Sequence, residues 1–154
     1  MPLVAYPKIS LKAGREHILG HMHPWIFSNA LDLRSAPKNG SIVDIVSADG
    51  KTFKARGYYN GNSQIAVRIM TRDPKDIIDC AFFEKRFLEL MRLRERFIDT
   101  KTTNAFRVVF GESDEMPGLI VDKYHDVFVI QIHTLGMDGF RDDIVAALKK
   151  TFRP

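Results

Sequence analysis

The stretch "GSIVDIVSADGKTFKARGYYNGNSQIAVRIM", residues 40–70, decides how the first half of the chain folds. It sets runs of β-branched and aromatic residues around Asp49-Gly50 and Asn60-Gly61-Asn62, turn signals that favour positive backbone φ. The pattern predicts short strands closed into a small antiparallel β barrel or sandwich. Upstream, "AGREHILGHMHPWIF" permits one short helix over Gly14 to Leu19, stopped by Gly20 and, further on, by Pro24. Pro24 also pushes His23 toward an extended conformation, so a strand is expected to begin over Trp25 to Ser28, with Trp25 and Phe27 anchoring the core.

Downstream, "TRDPKDIID" breaks the β pattern, and the domain boundary is placed between residues 73 and 74. Pro74 and its charged neighbours suit a short ordered linker, since Gly and Ser are absent from it. From there the period becomes helical. A helix is expected from Cys80 to Ile98, with Phe83, Phe87, Leu90, Phe97 and Ile98 near one face and Lys85–Glu89 and Glu89–Arg92 as exposed pairs. Three strands follow the loop "DTKTTN": "FRVVF" at 106–110, "GLIVDKY" at 118–124 and "VFVIQIH" at 127–133, the last two joined by a tight hairpin at His125-Asp126. The segment "MDGFRDDIVAALKKTF" reads as a closing helix with Asp138 as N-cap, acids in its first turn, Lys149 and Lys150 in its last, and an apolar face of Phe140, Ile144, Leu148 and Phe152.

Composition narrows the function classes. With 154 residues, 45% of them hydrophobic, the chain can bury one core or two small ones. No apolar run reaches the roughly 18 residues of a membrane span, and the N-terminus lacks the pattern of a secretory signal. A soluble, cytoplasmic protein without a membrane role is expected. A lone cysteine, Cys80, cannot form an internal disulfide, which agrees with a reducing compartment. Charge is divided unevenly. Residues 1–72 hold ten Lys or Arg against four Asp or Glu, a net of +6; residues 73–154 hold thirteen against fifteen, a net of −2, giving +4 for the chain. A basic first half suits a polyanion, because clustered cations displace counterions from phosphates.

Motif by motif, chemistry is sparse. The acids of "GESDEMPG" (111–118) are bracketed by Gly111, Pro117 and Gly118, and they lack the ligand spacing of a calcium loop, so a turn between strands is expected. His17, His21 and His23 have no further ligand at metal spacing, so no metal site is assigned. Cys80 opens an amphipathic helix and reads as a packed thiol. Tyr58 and Tyr59, beside Arg56, fit either sheet residues or a stacking platform for unpaired bases. Gly-rich phosphate loops, "GxSxG" and zinc patterns are absent from the sequence.

Two separated motifs then carry a resemblance. "GHMHPWIFSNAL" (20–31) resembles the Gly-His-Pro-Trp-Val-Phe opening of PUA-type RNA-binding domains, and "ARGYYNGNSQIAVRIM" (55–70) is similar to the segment that closes them. "GESDEMPGLIVDKYHDVFVIQ" (111–131) resembles the central signature of the RlmI-type cytosine-C5 methyltransferases, which modify large-subunit ribosomal RNA with S-adenosylmethionine. Departures are Met22 between His21 and His23, Gly61 in place of a usual Pro, and His125-Asp126 in place of a Gly-containing turn.

The resemblance implies an α+β chain: a small PUA-like β barrel over residues 1–73, then a small α/β domain over 74–154 made of a helix, a three-strand antiparallel sheet and a helix. A Rossmann-like methyltransferase domain would follow. Its cofactor glycines, Asp-Pro-Pro segment and catalytic cysteine segment have no counterpart in this sequence, so no catalytic residue and no cofactor are assigned here, and Cys80 inherits no role. S-adenosylmethionine is expected only for that further domain. The implied task is to bind and target RNA, with Lys12, Arg15, His23, Arg56 and Arg68 as contacts and Tyr58 as a stacking residue. Implied partners are large-subunit ribosomal RNA and the methyltransferase domain, in cis or in trans, and a homodimer is compatible with the sequence. The competing reading is a free-standing PUA adaptor or protein-interaction module.

Overall fold

The structure, a computed structural model, describes residues 5–21 and 23–152. The chain divides into two compact units between Asp76 and Ile77.

The first unit is one curled sheet of five strands: β1 (Lys8–Ser10), β2 (Trp25–Phe27), β3 (Ile42–Val46), β4 (Phe53–Tyr59) and β5 (Ile65–Thr71). Their spatial order is β1-β3-β4-β5-β2. All pairings are antiparallel except β1 with β3, which is parallel because the chain visits β2 on the far edge before returning. Register shifts at Ile26/Phe27, Ile45/Val46 and Arg56/Gly57 are bulges that sharpen the curl. The ends of the sheet are drawn together by an isolated bridge between Leu11 and Leu31, flanked by Lys12 N–H to Ala30 O and Asp32 N–H to Ser10 O. A half-barrel results. Alternate residues fill its interior: Ile9, Ile26, Val43, Ile45, Ala55, Tyr59, Val67 and Ile69, capped by Leu11 and Leu31.

Local details differ from the sequence reading in three places. The short helix expected over Gly14 to Leu19 is a 3₁₀ segment, Glu16–His21, and it runs through Gly20. Gly50 does adopt positive φ (+75°), but Gly61 does not. A Cβ at Gly61 would sit 2.4 Å from the Tyr59 hydroxyl oxygen, so a larger residue there would require that side chain to shift. Strand β2 stops at Phe27, because Ser28–Ala30 turns into a 3₁₀ segment.

The second unit contains α1 (Cys80–Glu95), a meander of β6 (Ala105–Phe110), β7 (Leu119–Tyr124) and β8 (Val127–Ile132), then α2 (Leu135–Asp138) and α3 (Arg141–Phe152). Asp79 caps α1: its Oδ1 accepts the Phe82 N–H at 3.0 Å. The helix ends three residues earlier than expected, and Phe97, assigned to its apolar face, lies beyond it and is 78% exposed. The Phe83 ring of α1 lies 5.5 Å from that of Phe140, the residue just before α3, and Phe128 of β8 meets Phe152 of α3 at 4.8 Å. Asp138 is not the cap of α3. It ends α2 and pairs with Arg141.

Candidate nucleic-acid interface

The six residues singled out from the sequence separate into exposed and buried groups. On the outer face of the half-barrel, Lys8, Asp44, Arg56 and Thr71 stand in one cross-strand row, and Tyr58, Arg68 and Trp25 in another. Alternation therefore points Arg56 and Tyr58 outward. Even so, Arg56 is only 5% exposed and Tyr58 only 1%. Arg56 is covered from both sides. Its Nε donates to Asp44 Oδ1 at 2.7 Å, Nη1 donates to the carbonyls of Pro74 and Asp76, and the Tyr6 ring stacks at 4.3 Å. The guanidinium thus fastens the 74–76 segment to the barrel. Neither side chain presents itself to a ligand as it is placed.

Arg15 and His23 instead line a groove of about 500 Å³, together with His17, Trp25, Phe27 and Asn29. The local sequence explains it. In "WIF" the middle residue, Ile26, is fully buried, so period two throws Trp25 and Phe27 to the outside. Phe27 is 47% exposed, an unusual position for a phenyl ring, and Trp25 is half-buried. The His23 ring meets Trp25 edge-on at 4.9 Å and 75°, and His23 Nδ1 accepts the Trp25 backbone N–H at 3.2 Å. In the neutral ring that contact leaves the proton on Nε2, which can donate. His17 Nδ1 donates to Gly14 O at 2.9 Å, so that nitrogen carries a proton.

Cations frame these rings. Arg15 is exposed, and Arg68 stands opposite Trp25 across the β2–β5 pair, half-buried, with Nη1 donating to Ile65 O at 3.4 Å. Arg72 reaches from the end of the barrel to the His23 carbonyl at 3.4 Å. Lys12 belongs elsewhere. It borders a separate depression of about 890 Å³ with Asp32 and Arg34. There, hydrogen bonds from the Arg34 side chain, and then its backbone N–H, hold the Asp32 carboxyl down to about 2.

Sequence reasoning did not single out Asn29 and Arg72, weighed His17 only as a metal ligand, and assigned Trp25 and Phe27 to the core. The alternation around Ile26 was the signal that places those two rings outside. The acidic stretch is the expected turn: Gly111–Asp114 is a 3₁₀ segment, and Gly111, Glu115 and Gly118 take φ of +52°, +56° and +79°. Its acids face α1. Asp114 accepts from Arg94 and from the Phe110 N–H at 2.6 Å, and Glu115 pairs with Arg86. Among the described residues, no three His, Cys, Asp or Glu side chains gather as metal ligands would.

Comparison with known proteins agrees with this architecture. A PUA-like domain model matches residues 9–72. Over 146 residues the chain is 38% identical to ribosomal RNA large subunit methyltransferase I of Shewanella amazonensis, covering 94% of this chain and 37% of that protein. The namesake from Klebsiella pneumoniae is 36% identical over 148 residues, covering 96% of this chain and 37% of that protein. The chain therefore spans little more than a third of the length of these relatives. A candidate SAM-dependent methyltransferase from Streptococcus mutans has the same fold over 96% of this chain and 38% of its own, with a TM-score of 0.80 at 20% identity. A crystal structure of a candidate methyltransferase complexed with SAH superimposes with the same figures. Residues 9–72 thus match the PUA-like domain model, and the chain that carries them is similar to the N-terminal region of the ribosomal RNA large subunit methyltransferase I proteins.

Proposed function

We propose that this chain is the RNA-binding and targeting portion of an rRNA (cytosine-C5) methyltransferase, with large-subunit ribosomal RNA as its partner in the cytoplasm. The observation that carries the reading is the groove in which Arg15, His17 and His23 surround the outward rings of Trp25 and Phe27 on a PUA-like half-barrel. Exposed cations beside an exposed aromatic suit single-stranded or unpaired RNA. Arg15 takes a phosphate and sets position, Phe27 offers a stacking face to a base, and the His23 Nε2–H donates to a base edge. Residues 1–73 hold the RNA in this proposal. Residues 74–154 join that unit to a methyltransferase domain, in cis or in trans, which supplies the S-adenosylmethionine site and the catalytic cysteine.

Titration of large-subunit rRNA fragments across a salt series tests this. Binding should weaken steeply with salt, since each phosphate neutralised adds about 0.7 to 0.9 to the log–log slope. Absence of binding, or a flat salt response, would favour the adaptor reading.

A further inference from the structure

One wall of the Trp25 groove is a turn that sorts its side chains. Ile26 and Ala30 are buried, Phe27 and Asn29 line the groove, and Ser28 lines the separate depression beside Lys12. Backbone bonds hold the turn: the Ser28 N–H donates to Gln64 O at 2.9 Å, and the Leu31 N–H to Ser28 O at 3.2 Å. An exposed phenyl ring and an exposed carboxamide therefore stand two residues apart on one fixed segment. No Asp or Glu lines the groove, and Asn29 Oδ1 is the only side-chain oxygen among its described lining residues. That carboxamide has no hydrogen-bond partner among the described residues.

Phosphate contacts such as that assigned to Arg15 position a strand without naming its sequence, which is read at the edges of its bases. Resting on the reading of this groove as an RNA site, we infer that Asn29 is its specificity-determining residue and selects an unpaired adenine. Stacking on Phe27 fixes the plane of a base and leaves its edges to the polar groups around the ring. A carboxamide offers a donor and an acceptor side by side. Its bidentate match is adenine, whose N6 amino group donates to Oδ1 while N7 accepts from Nδ2. Adenine keeps N1 and N3 as acceptors for the His23 Nε2–H. Guanine presents two acceptors, O6 and N7, along the corresponding edge, so one of them would face Oδ1. Uracil and cytosine have no N7, and their smaller rings cover less of the phenyl group.

Titration of the 154-residue chain with short single-stranded RNA reads the preference. The oligomers are uridine throughout, or carry a single central adenine, cytosine or guanine. The adenine-bearing oligomer should bind about tenfold more tightly than the other three. Replacing that adenine with 7-deazaadenine removes the N7 acceptor alone and should abolish most of the gain. Asn29→Ala should bring the adenine and all-uridine oligomers to within about twofold of each other, and 7-deazaadenine should then change nothing further, the non-additivity expected of two groups in contact. Circular dichroism confirms that the variant is folded. Equal affinity for the four oligomers, or an adenine preference that survives Asn29→Ala, would overturn the inference and leave the groove as an RNA site without base selection. Failure of every oligomer to bind would remove the RNA reading and the inference with it.

Discussion

The Arg56 guanidinium lies 2.7 Å from the carboxylate of Asp44, its neighbour across the β3–β4 pair, with a second bond of 3.1 Å from Nη2. Both groups are largely withdrawn from water. Removing one partner leaves the other charge buried, so Arg56→Ala or Asp44→Ala should lower stability by about 3–5 kcal/mol. Urea unfolding reads this as a lower midpoint with little change in slope. A loss within experimental error would show that the pair is more hydrated than its burial indicates.

Gly57 sits at the β4 bulge, where a Cβ would lie 2.0 Å from the Arg68 backbone oxygen. Backbone cannot yield as a flexible side chain can. Gly57→Ala should therefore cost several kcal/mol, of the order of other severe core changes, and its thermal midpoint should fall well below that of Gly20→Ala, where nothing lies within 4 Å.

Two carboxyls give the chain an acid-sensitive component. The Arg107 side chain holds Asp122 below the ordinary carboxylate range, and Arg34 holds Asp32 down to about 2. A carboxyl depressed in the folded state binds fewer protons there than in the unfolded chain. Its contribution is complete above the unfolded value of about 4 and is lost as pH falls from about 4 toward 2. Thermal midpoints measured at pH 5 and pH 2.5 should differ less in Asp32→Asn than in the unsubstituted chain. Equal differences would remove the role of that ion pair.

Phe27 and Tyr58 should behave oppositely. Phe27→Ala removes an exposed ring and should weaken RNA binding by about 1–3 kcal/mol while leaving unfolding nearly unchanged. Tyr58→Ala empties a buried position and should cost about 3–5 kcal/mol of stability, with RNA affinity preserved under conditions where the variant is folded. The reverse pattern would place the RNA on the other side of β4.

Strands, helices and the turn at 111–118 were legible because period two and period 3.6 are local properties of sequence, and breakers mark where they end. The candidate site was legible only in part. Arg56 and Tyr58 do point outward as alternation requires, but the 74–76 carbonyls and the Tyr6 ring bury Arg56, and contacts between residues so distant in sequence leave no local trace. Phe27 shows the opposite error. A phenyl group was assigned to the core by its hydrophobicity, although Ile26 between two rings already indicated which side faced inward. Asp138 failed as a helix cap because α2 claims it first, a one-turn interruption that the apolar pattern of α3 does not reveal.

Trp25 gives the most direct measurement of the central claim, because it is the single tryptophan of the chain and it lines the groove. Its emission should be followed while a large-subunit rRNA fragment is titrated at several salt concentrations. A saturable change is expected, weakening with salt, and Arg15→Ala should both raise the midpoint and reduce the salt slope by about one. RNA that binds without altering Trp25 emission, or with an affinity indifferent to Arg15→Ala and Phe27→Ala, would contradict the assignment of this groove as the RNA interface.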